Sequence, residues 1–358
     1  MQSLQKILAR RDNDYAEIAK TFKEKTGLDI VKDAYSKELS LRKSCSVIVP
    51  FYRDYLFFKK NLIAIANQDL PLNYKRDKME VIIVDGGSSI DLRKLIRSVY
   101  LNCPITYLKL NKNYGRAASR NLGLLYSSNE IVIFLDEDAV AAKDFISNHL
   151  SRHEFSNKLI VAGFRENIDL KDLNLHLDVK QQTVLRKPNY QKDFRYKRFV
   201  PSEWKETFKN VPNGNFGKTY YILKESDYFK KFGSGKIIGV WNLPFMFVTC
   251  NVSAPRKYVF EVGGFDMRFK GWNMEDTHLG AKLIARGLYV IPNLHSTVYH
   301  LIKGAPTIDF KRKKIEEYRK NIGTYEELIK ENFIVQEESE WKRKIEKYFK
   351  NKFTKVNL

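Results

Sequence analysis

The stretch Ile131-Val-Ile-Phe-Leu-Asp-Glu-Asp138 decides how the rest of the chain is read. An apolar run, mostly β-branched or aromatic, predicts a strand buried on both faces, and consecutive acids end it abruptly. Such strands belong to parallel α/β sheets, in which ligands bind just beyond the carboxyl ends of the strands. Two carboxylates one residue apart at that edge, Asp136 and Asp138, can hold a hard divalent cation. Mg2+ and Mn2+ prefer oxygen ligands and bring substrate phosphates with them. The first expectation is therefore a metal-assisted site for a nucleotide diphosphate. The alternative is that the acids only mark a strand end or cap the next helix.

Upstream, strands and helices alternate. Ser46-Val-Ile-Val-Pro50 is a strand stopped by proline, and Tyr55 to Ala66 has helical spacing. Glu80-Val-Ile-Ile-Val-Asp85 is a second buried strand, followed by the turn Gly86 to Ser89 and a helix over Asp91 to Val99. Ile105 to Leu110 is a third strand, Asn113-Tyr-Gly115 a turn and Arg116 to Tyr126 a helix. This alternation predicts βαβ units and a mostly parallel, Rossmann-like α/β sheet flanked by helices. Downstream, regular patterning weakens from about 150 to 240, with turn signals at Pro201 and Pro212-Asn-Gly214. It returns with a strand over Phe245 to Cys250, a helix over Arg256 to Val262 closed by Gly263-Gly264, a helix over Asp276 to Arg286 ending at Gly287, and a short strand over Leu288 to Ile291. The expected organisation is a helical N-terminal extension (1–43), a nucleotide-binding half (44–150), a second half (151–302) with a basic insertion near 186–236, and a basic helical tail (303–358).

Strand ends and adjacent turns thus converge on one sheet edge: Pro50 to Arg53, Asp85 to Ser89, Asn113 to Arg120, and Asp136 to Asp138. Asp85 can accept from a base N–H or a ribose hydroxyl, and Tyr52 can lie against a base. Arg116 and Arg120, four residues apart on one helix face, can meet a diphosphate. Asp85 as a helix cap and the arginines as a solvated face are the plainer alternatives. Glu275-Asp276 opens a later helix, whose N-terminus favours ionised carboxylates; Asp276 reads either as a general base or as an N-cap. Trp272 reads as a sugar platform or as core.

The chain has 358 residues, 43% hydrophobic and 29% charged, which suits a globular protein with a substantial core. No stretch is apolar enough for a membrane span, and Met1 to Arg11 lacks the features of a secretory leader. Cys45, Cys103 and Cys250 are too scattered for a disulfide framework or paired metal spacing, so a cytoplasmic setting is expected. The net charge of +21 is densest from Arg186 to Lys236 and from Lys311 to Lys355, and it favours anionic partners or reflects compositional bias. No RNA-recognition, zinc-knuckle or homeodomain pattern favours nucleic acid. Trp341, Tyr348 and Phe349 among lysines leave two readings for the tail: a peripheral anchor on an anionic inner membrane face, or an ordinary packed helix.

At this point the chain resembles a family 2 glycosyltransferase of the GT-A fold. The resemblance rests on Ser46-Val-Ile-Val-Pro-Phe-Tyr52, Val81-Ile-Ile-Val-Asp-Gly-Gly-Ser-Ser89, Asn113-Tyr-Gly-Arg-Ala-Ala-Ser-Arg-Asn121 and Phe134-Leu-Asp-Glu-Asp138. Val262-Gly-Gly-Phe-Asp266 and Gly271-Trp-Asn-Met-Glu-Asp276 are similar to the acceptor half of galactosyltransferases, polypeptide N-acetylgalactosaminyltransferases and chondroitin-type polymerases. The resemblance covers about residues 44–302. It implies that Asp136 and Asp138 hold Mn2+ or Mg2+ on a UDP-sugar, with His300 as a further ligand. It also implies that Pro50, Tyr52 and Asp85, with Asn113, Arg116 and Arg120, form the donor pocket. Asp276 is implied as the base that takes a proton from the acceptor hydroxyl, and Glu275, beside it, as a sugar ligand. Gly86 departs from the family, which usually has a second acid there. A nucleotidyltransferase, or a polyanion- or membrane-binding protein on a degenerate scaffold, are the competing readings.

Overall fold

The computed structural model describes residues 1–10, 16–178, 184, 186–193, 195, 244–303 and 307–358. The turns expected at Pro201 and Pro212-Asn-Gly214, and most of the basic insertion, lie outside these residues. The first half runs β1 (Cys45–Phe51), α3 (Tyr55–Ala66), β2 (Met79–Asp85), α4 (Arg93–Ser98), β3 (Ile105–Leu110), α5 (Arg116–Tyr126) and β4 (Ile131–Leu135), preceded by α1 (Leu4–Arg10) and α2 (Ala16–Thr26). Then follow β5 (Ala139–Ala141), α6 (Phe145–His153), β6 (Leu159–Asp169), α7 (Leu170–Asn174), β7 (Asn251–Pro255), α8 (Arg256–Glu261), α9 (Glu275–Arg286) and β8 (Tyr289–Ile302). The C-terminal segment forms α10 (Ile308–Leu328), α11 (Glu338–Phe349) and β9 (Phe353–Val356).

One nine-stranded sheet, in the order β5-β8-β6-β7-β4-β1-β2-β3-β9, carries all of this. The parallel character expected from the βαβ pattern belongs to β3-β2-β1-β4. Beyond β4 the sheet is mixed: β7 is antiparallel to both neighbours, β6 and β8 pair in parallel, and β5 and β9 run antiparallel at the edges. β1, β2 and β4 are almost wholly buried because helices cover both faces, so their sequences read as continuous apolar runs. α5 lies close on β1 and β2 at Gly123, where a Cβ would stand 2.5 Å from Ile48 Cγ2. Asn121, buried beside it, exchanges hydrogen bonds with both backbone groups of Phe265 and ties the first half to the Gly263-Gly264 turn.

Several boundaries differ from the sequence reading. Phe245–Cys250 is not a strand; a 3-10 turn occupies Pro244–Met246 and the strand starts at Asn251, where pairing with β4 becomes available. The short strand expected at Leu288 extends from Tyr289 to Ile302, because β6 and β5 both pair with it. β5 and β6 themselves carry too little periodicity to be seen in the sequence. The tail takes the packed alternative: Trp341 and Phe349 are buried, and Trp341 sits 4.8 Å from the Phe260 ring. Tyr348, between them, is half-buried. Among the described residues no helix is long and apolar enough to cross a membrane.

β9 covers the outer edge of β3, with Asn111 N–H bonded to Lys352 O at 2.9 Å. Deleting residues 351–358 should lower stability by about 1–3 kcal/mol, at about 0.5–1.5 kcal/mol per lost hydrogen bond. Urea unfolding measures this, and an unchanged midpoint would show that the strand contributes nothing.

Candidate active site

The carboxyl ends of β1, β2 and β4 meet at a cleft of about 850 Å³. At the end of β4 the acidic run turns back on itself. Ala139 N–H bonds to Asp136 O, and the buried Asn61 amide of α3 donates to the carbonyls of Asp136 and Ala139 at 3.1 and 2.7 Å. Glu137, the middle acid, lines the cleft with its neighbours and accepts the Tyr52 N–H at 2.8 Å. Burial pushes its carboxyl up to about 7 even so. Glu137 thereby couples the acidic turn to the Tyr52 loop, a role that the sequence reading missed.

Asp138 meets His300 through sheet register. β5 pairs Ala139 with His300, Leu301 N–H bonds to Asp138 O, and His300 Nε2 lies 3.5 Å from Asp138 Oδ1. Burial holds the imidazole below its ordinary value, against the pull of Asp138, so it is neutral and able to ligate near pH 7. Burial raises the Asp138 carboxyl, with His300 opposing and Asp136 adding to the shift. Asp138 Oδ1 and His300 Nδ1 are buried without a hydrogen-bond partner among the described residues.

Arg120 occupies the centre. Its guanidinium is buried between Asp136 Oδ1 and Glu275 Oε1, both at 2.8 Å. Burial opposes ionisation of Asp136, but Arg120 and then Arg116 outweigh it and hold the carboxyl below its usual value. Asp276, next to Glu275 at the start of α9, is pushed up to about 6 by burial and by Glu275, with Arg120 opposing.

Pro50, Tyr52, Asn113, Arg116, Arg120, Asp136 and Asp138 all line the cleft. Of the expected donor contacts, Asp85 points elsewhere and Arg120 is engaged by two carboxylates. Asp85 is fully buried and faces inward: its carboxylate accepts from Gly87 N–H, Ser88 N–H, Ser88 Oγ and Tyr107 Oη and sits 3.4 Å from Lys109. It organises the Gly86–Ser89 turn, and Gly86 is the residue of that turn on the cleft wall. Arg120 is neutralised twice over, which leaves Arg116, exposed at the rim, as the arginine of that helix facing solvent. Glu275 is an ion-pair partner of Arg120, and Trp272 is half-buried with Lys314 Nζ 5.1 Å from its ring centre. α10 adds cleft residues that no local pattern announced: Phe310, Lys313, Lys314 and Glu317.

Among the described residues no group of three His, Cys, Asp or Glu side chains is placed to hold a metal ion. The donor chemistry nevertheless fits a hard divalent ion that keeps open positions for phosphate. A buried, unbonded carboxylate oxygen on Asp138 stands beside a neutral imidazole, with Asp136 two residues away.

The sheet order and this cleft define the GT-A class of nucleotide-sugar fold. The family described as Glycosyl transferase family 2 matches residues 46–217. An uncharacterized glycosyltransferase, YfnE, of Bacillus subtilis is 27% identical over 68% of this chain and 61% of its own length. Chondroitin synthase of Escherichia coli is 24% identical over 75% of this chain and 36% of its own length. In fold, the chain is similar to a mannosyltransferase of Pyrobaculum calidifontis solved with GDP-Man and Mn2+, with a TM-score of 0.53 and 18% identity over 89% of this chain and 72% of that one. The chain is thus similar to glycosyl transferase family 2 over residues 46–217, and it spans less than two thirds of the length of these two curated relatives.

Proposed function

We propose that this chain is a metal-dependent, inverting glycosyltransferase. It moves a hexose or N-acetylhexosamine from a UDP-sugar to a hydroxyl of a glycan, lipid-linked, peptide or natural-product acceptor. The observation that carries the reading is the chain of contacts from Asp138–His300 to the candidate base. Asp136 stands two residues from Asp138 at the end of β4, and Arg120 ties it to Glu275, next to Asp276.

Asp136, Asp138 and His300 would hold Mn2+ or Mg2+, which would supply charge stabilisation to the departing diphosphate. Arg116 and Lys314 add positive charge along the same wall. Tyr52, held by Glu137, presents its ring for a base. Asp276 takes the acceptor proton as the new bond forms. Arg120 keeps Asp136 ionised and fixes Glu275, which joins the acidic turn to the start of α9. Metal use is also supported by the Mn2+ bound to the Pyrobaculum calidifontis neighbour, and the GDP-Man on that protein makes GDP-mannose a donor worth including.

The test is thermal shift and nucleotide release with UDP-glucose, UDP-galactose, UDP-N-acetylglucosamine, UDP-N-acetylgalactosamine and GDP-mannose, each with Mn2+ or chelator. One UDP-sugar should stabilise the protein with Mn2+ only, and Asp138→Ala should abolish that shift. Silence with every donor would sink the reading in favour of a binding protein on a degenerate scaffold. With that donor, nucleotide release should rise with pH through about 6, because the base must be ionised and Asp276 is raised to about 6. A flat profile between pH about 5 and about 8 would remove Asp276 from the role.

A further inference from the structure

The loop before the candidate base is held in a costly conformation. Asn273 and Met274 both have positive φ, +79° and +78°, directly ahead of Glu275 and Asp276. Side chains other than glycine rarely adopt this region, and two in succession persist only where the surroundings over-determine them. Met274 is buried in the core, and Asn273 spends its own Oδ1 on Met274 N–H. Neither accounts for the whole turn.

The missing constraint comes from α10. Asn321, 1% exposed, donates its side-chain amide to the carbonyls of Lys270, Trp272 and Asn273 at 2.9, 3.0 and 2.9 Å. One NH2 group has two protons, so three acceptors at these distances mean a shared bond and a fully committed amide. Its Oδ1 faces the Lys270 N–H at 3.4 Å. One turn earlier on the same helix, Glu317 crowds Gly271, where a Cβ would stand 2.8 Å from its carboxyl carbon and φ is +76°.

We propose that Asn321 is a positioning residue for the transfer reaction: it clamps the 270–274 loop in its left-handed path and so sets where α9 begins and where Asp276 stands. The proposal rests on Asp276 being the base. It assigns the C-terminal helix, which lies beyond residues 46–217, a part in the chemistry through a residue other than its cleft-lining Phe310, Lys313, Lys314 and Glu317.

The test uses the full-length protein, Mn2+ and the donor picked out by the panel, and reads kcat and KM for nucleotide release. Asn321→Ala and the isosteric Asn321→Asp, which keeps the shape but loses both N–H donors when ionised, should each lower kcat by about 100-fold with donor KM within about twofold, the scale expected for a small misplacement of a reacting group. Leu328→Ala, on the same helix but in the core, should lower the melting temperature and leave kcat within about twofold, which separates the clamp from general loosening. If Asn321→Ala does not fold, Asn321→Ser, with one donor left, should give an intermediate kcat. A folded Asn321 variant with unchanged kcat overturns the proposal. So does a fall confined to KM. If Asp276→Asn retains full activity, the base assignment has failed instead, and the two failures are told apart.

Discussion

Asp276→Asn is expected to slow nucleotide release by about 10²–10⁴-fold, the usual contribution of one positioned proton acceptor. Metal-dependent donor binding should survive, because Asp276 makes no ion pair with Arg120, whose two partners are Asp136 and Glu275. The substitution keeps the side chain's shape and removes only its basicity. It also relieves a strained electrostatic position: burial and Glu275 already raise this carboxyl to about 6, so the neutral amide is well tolerated by the fold. The variant should be at least as stable as the parent at neutral pH while being slow. A slow enzyme that also melts early would point to a structural role. Unchanged kcat would exclude Asp276 as the base.

Arg120→Met should cost about 3–5 kcal/mol of stability, the usual penalty for removing one partner of a buried ion pair. Methionine fills similar volume, so packing contributes little and the loss is electrostatic. It leaves Asp136 and the buried Glu275 facing each other without their shared cation. The sign of the pH dependence follows. Asp136 is held below its usual value by Arg120, so its stabilisation is present above the unfolded value of about 3.9 and fades as pH falls through the folded one. The penalty of the variant should thus be largest near neutral pH and shrink in acid, where the carboxylates protonate. Arg120→Lys should rescue only part of it, because an ammonium cannot fork between two carboxylates as a guanidinium does. Urea midpoints at pH about 7 and about 3 measure both effects. A pH-independent loss would mean that packing, not charge, is what Arg120 supplies.

The strand-edge segments were legible because each is local. Pro50 to Tyr52, Asn113 to Arg116 and Asp136 to Asp138 sit where an apolar run stops, and the stop itself marks the carboxyl edge of the sheet. His300 could be named only through family likeness. What brings it to Asp138 is the antiparallel pairing of β8 with β5, and β5 is too short to leave a periodic signal.

The direction of each side chain was another matter. Asp85 looked free to contact a nucleoside, but Ser88 and Tyr107 turn it inward. Arg120 looked equivalent to Arg116 by helical spacing, yet Glu275, far along the chain, captures it. Trp341 beside lysines suits a membrane surface or a packed helix in sequence, and in the fold the Phe260 ring packs against it.

By itself, then, the sequence determined the βαβ frame and the edge on which chemistry is placed, since alternating apolar runs and their abrupt polar ends depend only on neighbours along the chain. Tertiary structure alone decided which acids face the cleft, which arginine is neutralised, and that a C-terminal helix grips the loop before Asp276. Those outcomes depend on contacts between residues far apart in sequence, and burial at such contacts sets the charge and direction of every group involved.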